Sequence, residues 1–102
     1  MHADTFLQET AAIADLIDRD DVERLALELH KLRERKGRLF VIGLGGSYAN
    51  AEHAAADLRK LCEIEAYAPN AAEMTAYMND EGAAQAFAGH TKWLTELDSL
   101  LV

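Results

Sequence analysis

The segment Arg38-Leu39-Phe40-Val41-Ile42, leading into Gly43-Leu44-Gly45-Gly46-Ser47, constrains this chain more than any other. A short, unbroken apolar run ending at a glycine cluster reads as a strand buried on both faces, the habit of parallel sheets. The residues from Ser47 to Cys62 then read as an alanine-rich helix, with Ala51, Ala54, Ala55, Leu58 and Cys62 turned inward. Between strand and helix, glycines permit positive φ and close backbone approach, and the free N–H groups of the helix start attract an anion. The Ser47 hydroxyl can cap the helix or turn to a phosphate oxygen. A tight strand-to-helix turn that binds nothing would carry the same glycines, so spacing alone names no ligand.

The flanking pattern supplies the rest of an α/β domain. Phe6, Leu7, Ala11, Ile13, Ala14 and Ile17 recur three or four apart and predict an amphipathic helix over Asp4 to Ile17. Asp20 and Glu23 form a capping-box signal for a second helix, striped by Val22, Leu25, Leu29 and Leu32. Lys31, Arg33, Arg35 and Lys36 suit its C-terminal dipole, with Gly37 at the C′ position. After the central helix, Cys62 to Ala68 alternates as a second strand, which Pro69 ends. Asn70 with Glu73 caps a short helix carrying Met74 and Met78 as core residues. Asn79-Asp80-Glu81-Gly82 reads as a turn, and Ala83 to Leu97 as a further helix anchored by Phe87, Trp93, Leu94 and Leu97. Leu100-Leu101-Val102 reads as the opening of another buried strand. Helices alternating with strands imply a parallel sheet flanked by helices and preceded by two N-terminal helices. The division is 1–36 as a helical pair for packing or oligomerisation and 37–102 as the first part of the α/β domain. Two strands and a stump are few for a parallel sheet, so the expectation is the N-terminal part of a longer domain.

Charge narrows the partners. Eighteen acidic against ten basic side chains leave a net charge of −8, which repels nucleic acid and forgoes counterion release. The same balance permits a small phosphorylated molecule, because backbone N–H groups can hold an anion alone. A single cysteine, Cys62, allows no intrachain disulfide and reads as a structural thiol. No run approaches the ~20 apolar residues of a membrane span, and Met1 to Thr10 lacks the blocks of a signal peptide. The expected place is the cytoplasm.

Two familiar phosphate motifs fail on detail. The dinucleotide fingerprint wants a glycine where Tyr48 stands, and a Walker A loop wants a lysine where Ser47 stands. His53 and Asp57, four apart, share one face of the helix after the loop. Such a pair can work as acid and base or hold a divalent metal, and it can equally be an exposed contact. Two ligands do not close a metal site. Asn79 and Asp80 in isolation read as helix caps, and His2, His30 and His90 as solvated residues without a partner.

Taken together, Phe40-Val41-Ile42-Gly43-Leu44-Gly45-Gly46-Ser47, Ala51-Glu52-His53-Ala54-Ala55-Ala56-Asp57-Leu58 and Met78-Asn79-Asp80-Glu81-Gly82 resemble three motifs of the phosphoheptose isomerases, in the same order. These enzymes are sugar isomerase (SIS) domains of three-layer α/β type. The resemblance implies aldose–ketose isomerisation of sedoheptulose 7-phosphate through an enediol. It implies Gly45, Gly46, Ser47, Asn79 and Asp80 as substrate contacts, His53 and Asp57 as metal ligands (commonly zinc) and Asp57 as the base. It also implies a homo-oligomer, dimer or tetramer, in which the two leading helices pack. Leu44 stands where that family has asparagine and Asp57 where it has glutamate. Its second phosphate loop and C-terminal glutamine and histidine have no counterpart here, so the 102-residue chain by itself is expected to be inactive. The alternative is a non-catalytic SIS module that binds a phosphosugar or docks a protein.

Overall fold

The computed structural model describes all 102 residues, Met1–Val102. Two helices lead, α1 at His2–Leu16 and α2 at Arg19–Glu34. Strand β1 (Arg38–Val41), helix α3 (Gly46–Cys62), strand β2 (Glu65–Tyr67) and helix α4 (Ala71–Glu81) follow. A 3₁₀ turn at Ala83–Gln85, a single-turn helix α5 at Ala88–Thr91 and strand β3 at Ser99–Leu101 complete the order. The strands form one parallel sheet in the order β2-β1-β3, with Leu39 opposite Ala66 on one side and opposite Ser99 on the other.

The apolar run of β1 is buried because both faces of the sheet are covered. Leu39 and Val41 point to one face and join Leu32 of α2, Ala51 and Ala55 of α3, and Ile64 and Ala66 in a single core. Phe40 points to the other, where the His90 ring of α5 meets it edge-on at 5.7 Å between centroids. The small side chains Ala51 (3% exposed) and Ala55 (1%) let α3 lie close on the sheet.

Local signals were satisfied by neighbouring residues in several places. Asp18, not Asp20, caps α2: its carboxylate accepts the N–H groups of Asp20 (2.9 Å) and Asp21 (3.3 Å). At the other end of α2 the left-handed C′ residue is Lys36 (φ 56°), and Gly37 follows it, donating to the Leu32 carbonyl in a Schellman closure. The Asn70 cap is present, its side chain accepting from the Glu73 N–H at 2.8 Å.

The stretch after Pro69 departs furthest from expectation. Asn79, Asp80 and Glu81 belong to the last turn of α4, and the turn itself falls on Gly82 (φ 97°). Met74 is buried but Met78 is 38% exposed, so only one of the two is core. The long helix over Ala83–Leu97 does not form. Its place is taken by the 3₁₀ turn, by α5 and by a turn at Thr95–Asp98. Gly89 explains part of this: a Cβ there would run into the Glu73 carboxylate and, at 2.7 Å, the Tyr77 ring. The chain thus breaks so that α5 can press against α4. Trp93 and Leu97 are exposed, and Phe87 and Leu94 only partly covered, so they do not anchor a helix.

Asp98 fixes the start of β3 beside the start of β1. Its carboxylate accepts from the Arg38 N–H (2.8 Å) and guanidinium (2.8 and 3.2 Å) and from the Thr95 N–H (2.8 Å) and hydroxyl (3.0 Å). Helix α1, by contrast, buries no residue. No helix is long and apolar enough to cross a membrane.

Candidate functional site

The strand order decides where a ligand can sit. In a parallel sheet the crevice lies at the carboxyl ends of the strands, at the point where successive connections leave in opposite directions. Here β1 is followed by β2 on one side and, after that, by β3 on the other, so this point falls between β1 and β3. The Gly43–Ser47 loop leaves β1 at that crevice. A cavity of about 320 Å³ opens there, lined by Ile42, Gly43, Leu44, Ser47, Phe87 and Val102.

The loop is shaped to present its backbone. Gly45 is the N-cap of α3, at φ 58° and ψ −123°, a conformation closed to side-chain-bearing residues at low cost. The Ser47 N–H turns back to the Leu44 carbonyl (3.1 Å), and those of Tyr48 and Ala49 to the Gly45 carbonyl (3.1 and 3.3 Å). The N–H groups of Gly45 and Gly46 meet no acceptor, backbone or side chain. Ser47 does not cap the helix, so its hydroxyl is free as well. These free donors at a helix N-terminus suit an anion. One turn on, the Tyr48 hydroxyl donates to Glu52 at 2.8 Å, which pushes the phenol above its ordinary pKa and keeps it neutral.

His53 and Asp57 do face each other on α3, with Nε2 3.4 Å from Oδ2. Both are exposed, 79% and 52% for the side chains, and neither lines the cavity. No group of three histidine, cysteine or acidic side chains comes together in the chain. A catalytic zinc takes three protein ligands, so these two donors, turned toward each other, do not by themselves fit one. Asn79 and Asp80 are exposed at the end of α4, contacting one another (3.3 Å), and are also outside the cavity lining. The loop residues and the cavity are thus brought together. The His53–Asp57 pair and the Asn79–Asp80 pair stand apart from the cavity wall.

Two participants had no sequence signal. Phe87, expected in a helix core, walls the cavity opposite the loop's own residues because the broken helix turns it there. His90, expected in solvent, is tucked against Phe40 with Nδ1 2.9 Å from the Glu73 carboxylate, a close polar contact rather than an aligned hydrogen bond. A pairing across 17 positions leaves no periodic trace that a sequence could display.

No family model matches the chain, and no curated protein does. Among solved structures, phosphoheptose isomerase GmhA from Neisseria gonorrhoeae superposes with a TM-score of 0.78 at 25% identity. The match covers 97% of this chain and 54% of that one, so the chain spans about half the length of that protein. The α/β fold is therefore similar to that of about half of a phosphoheptose isomerase, a structure of the sugar isomerase type.

Proposed function

We propose that this chain carries the phosphate-holding part of a phosphosugar isomerase of the phosphoheptose type. The observation that carries the reading is that one loop, leaving the switch between β1 and β3, lines a cavity with Gly43, Leu44 and Ser47 and leaves the N–H groups of Gly45 and Gly46 unpaired. The phosphate would accept from these groups and from Ser47, with Asn79 and Asp80 as further substrate contacts. Aldose–ketose exchange moves a proton between neighbouring carbons through an enediol, and Asp57 is the carboxylate for that transfer, with His53 as its partner. The working form in this reading is a homo-oligomer, which would cover the apolar side chains that α1 leaves exposed.

A second reading, a module that binds a phosphosugar without turning it over, is favoured by the cavity wall. Its lining holds no carboxylate, imidazole or cationic side chain, so no strong general acid or base stands against a ligand there. Both readings predict that sedoheptulose 7-phosphate and inorganic phosphate raise the melting temperature of the chain. Gly45→Ala, which strains the loop by about 1–3 kcal/mol without meeting any neighbour, should erase that rise. Absence of any rise with the unaltered chain would sink both readings. Deuterium uptake from solvent into bound sedoheptulose 7-phosphate separates them, because only an enediol-forming site exchanges that proton.

A further inference from the structure

A second cavity, of about 320 Å³, opens toward the amino ends of the strands, away from the glycine loop, and shares no lining residue with the crevice. Arg38 and Glu65 begin β1 and β2, Phe40 and Tyr67 follow two positions on, and the period of a strand puts all four on the face that α5 meets. Phe40 and Tyr67 stand opposite each other in register, their ring centroids 6.1 Å apart. Trp93, just beyond α5 and 65% exposed, adds a third ring.

The charges inside this cavity do not cancel. The Arg38 guanidinium is matched by the buried Asp98 carboxylate at 2.8 Å and also donates to the Trp93 carbonyl at 3.0 Å. That leaves Glu65 and Glu73 against a single imidazole, His90. Glu65 accepts the Tyr67 hydroxyl on Oε1 at 2.9 Å, and Glu73 meets His90 through Oε2 at 2.9 Å, so each carboxylate keeps one oxygen without a partner. All three rings draw cations: Arg38 lies 5.1 Å from the Phe40 centroid, Arg59 5.9 Å from that of Tyr67, and Lys92 5.5 Å from that of Trp93. Arg59 and Lys92 do so from outside the cavity lining, which leaves the two carboxylates as the unmatched charge within it.

We propose that this cavity binds a small organic amine in its ammonium form, the charged head hydrogen-bonded to the free oxygens of Glu65 and Glu73 and the carbon chain lying on Tyr67 and Trp93. Carboxylates supply the acceptors that an ammonium needs, and aromatic faces attract its charge while covering its carbon. The site is independent of the phosphate loop, which leaves the opposite end of β1.

The test follows two reporters in the lining, the fluorescence of Trp93, the sole tryptophan of the chain, and the amide resonance of Gly89. Butylammonium, butan-1-ol and butyrate share a chain of four carbons and differ in the charge of the head group. Butylammonium is expected to move both reporters and to bind at least about tenfold more tightly than butan-1-ol, the step from a neutral to a charge-assisted hydrogen bond. Glu65→Gln, which keeps an acceptor for the Tyr67 hydroxyl, should shrink that ratio toward one. Equal binding of the alcohol and the ammonium, tighter binding of butyrate, an unchanged ratio in Glu65→Gln, or no response from either reporter each overturns the proposal. None of these outcomes bears on the Gly43–Ser47 loop, whose residues lie outside this lining.

Discussion

Gly45 and Asp98 illustrate opposite degrees of legibility at the scale of the residue. A glycine between a buried strand and a helix announces an unusual backbone, and the observed φ of 58° is what its position implies. Asp98 announces nothing, since its role arises from Arg38, sixty positions away. With only 3% of its side chain exposed, the carboxylate is held by five donors and sits well below the ordinary carboxylate pKa, the Arg38 guanidinium being the main cause. A carboxyl with a depressed folded-state pKa stabilises the fold fully above its unfolded value of about 3.9 and loses that contribution as pH falls toward the folded one. Thermal melts of the wild-type chain should therefore drop in midpoint below about pH 4. Asp98→Asn should melt lower at pH 7 and respond less to acid over the same range. Parallel pH curves for the two proteins would show that Asp98 has no such role.

At the scale of the element, what is periodic was readable and what depends on contact was not. The inward face of α3 and the apolar run of β1 predicted their own burial because each repeats with the period of its structure, whereas of the α2 stripe only Leu32 is buried, Val22 and Leu25 staying exposed. The segment 83–97 has helix-forming composition, yet it is divided by demands from α4 and β1. Gly89 must approach Glu73 and Tyr77, and the Thr95–Asp98 turn must deliver Asp98 to Arg38. Neither demand is visible in a window of neighbouring residues. Gly89→Ala, a helix-favouring change on composition, is thus expected to destabilise by about 1–3 kcal/mol, the usual cost of overpacking. Because the nearest obstruction is the Glu73 carboxylate, the same substitution should cost less in a Glu73→Ala background. Denaturation midpoints of the four combinations measure the coupling, and strict additivity would place the obstruction elsewhere.

At the scale of the whole molecule, the sheet is wrapped and the leading helices are not. The radius of gyration is 16.6 Å, against about 13 Å for a compact domain of this length. Helix α1 accounts for the excess: Phe6, Leu7, Ile13 and Leu16 are 63–84% exposed, and no residue of the helix is buried. The apolar stripe of α2 continues this surface, with Val22 and Leu25 about half exposed before Leu32 enters the core. Apolar surface of this extent marks an association site, and an isolated helix of 15 residues is marginal in water. The proposed homo-oligomer would cover it, and would also order α1. Replacing Phe6 and Ile13 by aspartate leaves the core untouched, since neither side chain packs in it. The unaltered chain should sediment as a dimer or tetramer, and the double variant as a monomer with a weaker helical signal near 222 nm because α1 frays. A wild-type chain that stays monomeric at every concentration, with α1 nonetheless helical, would mean that the exposed stripe has no second copy to meet.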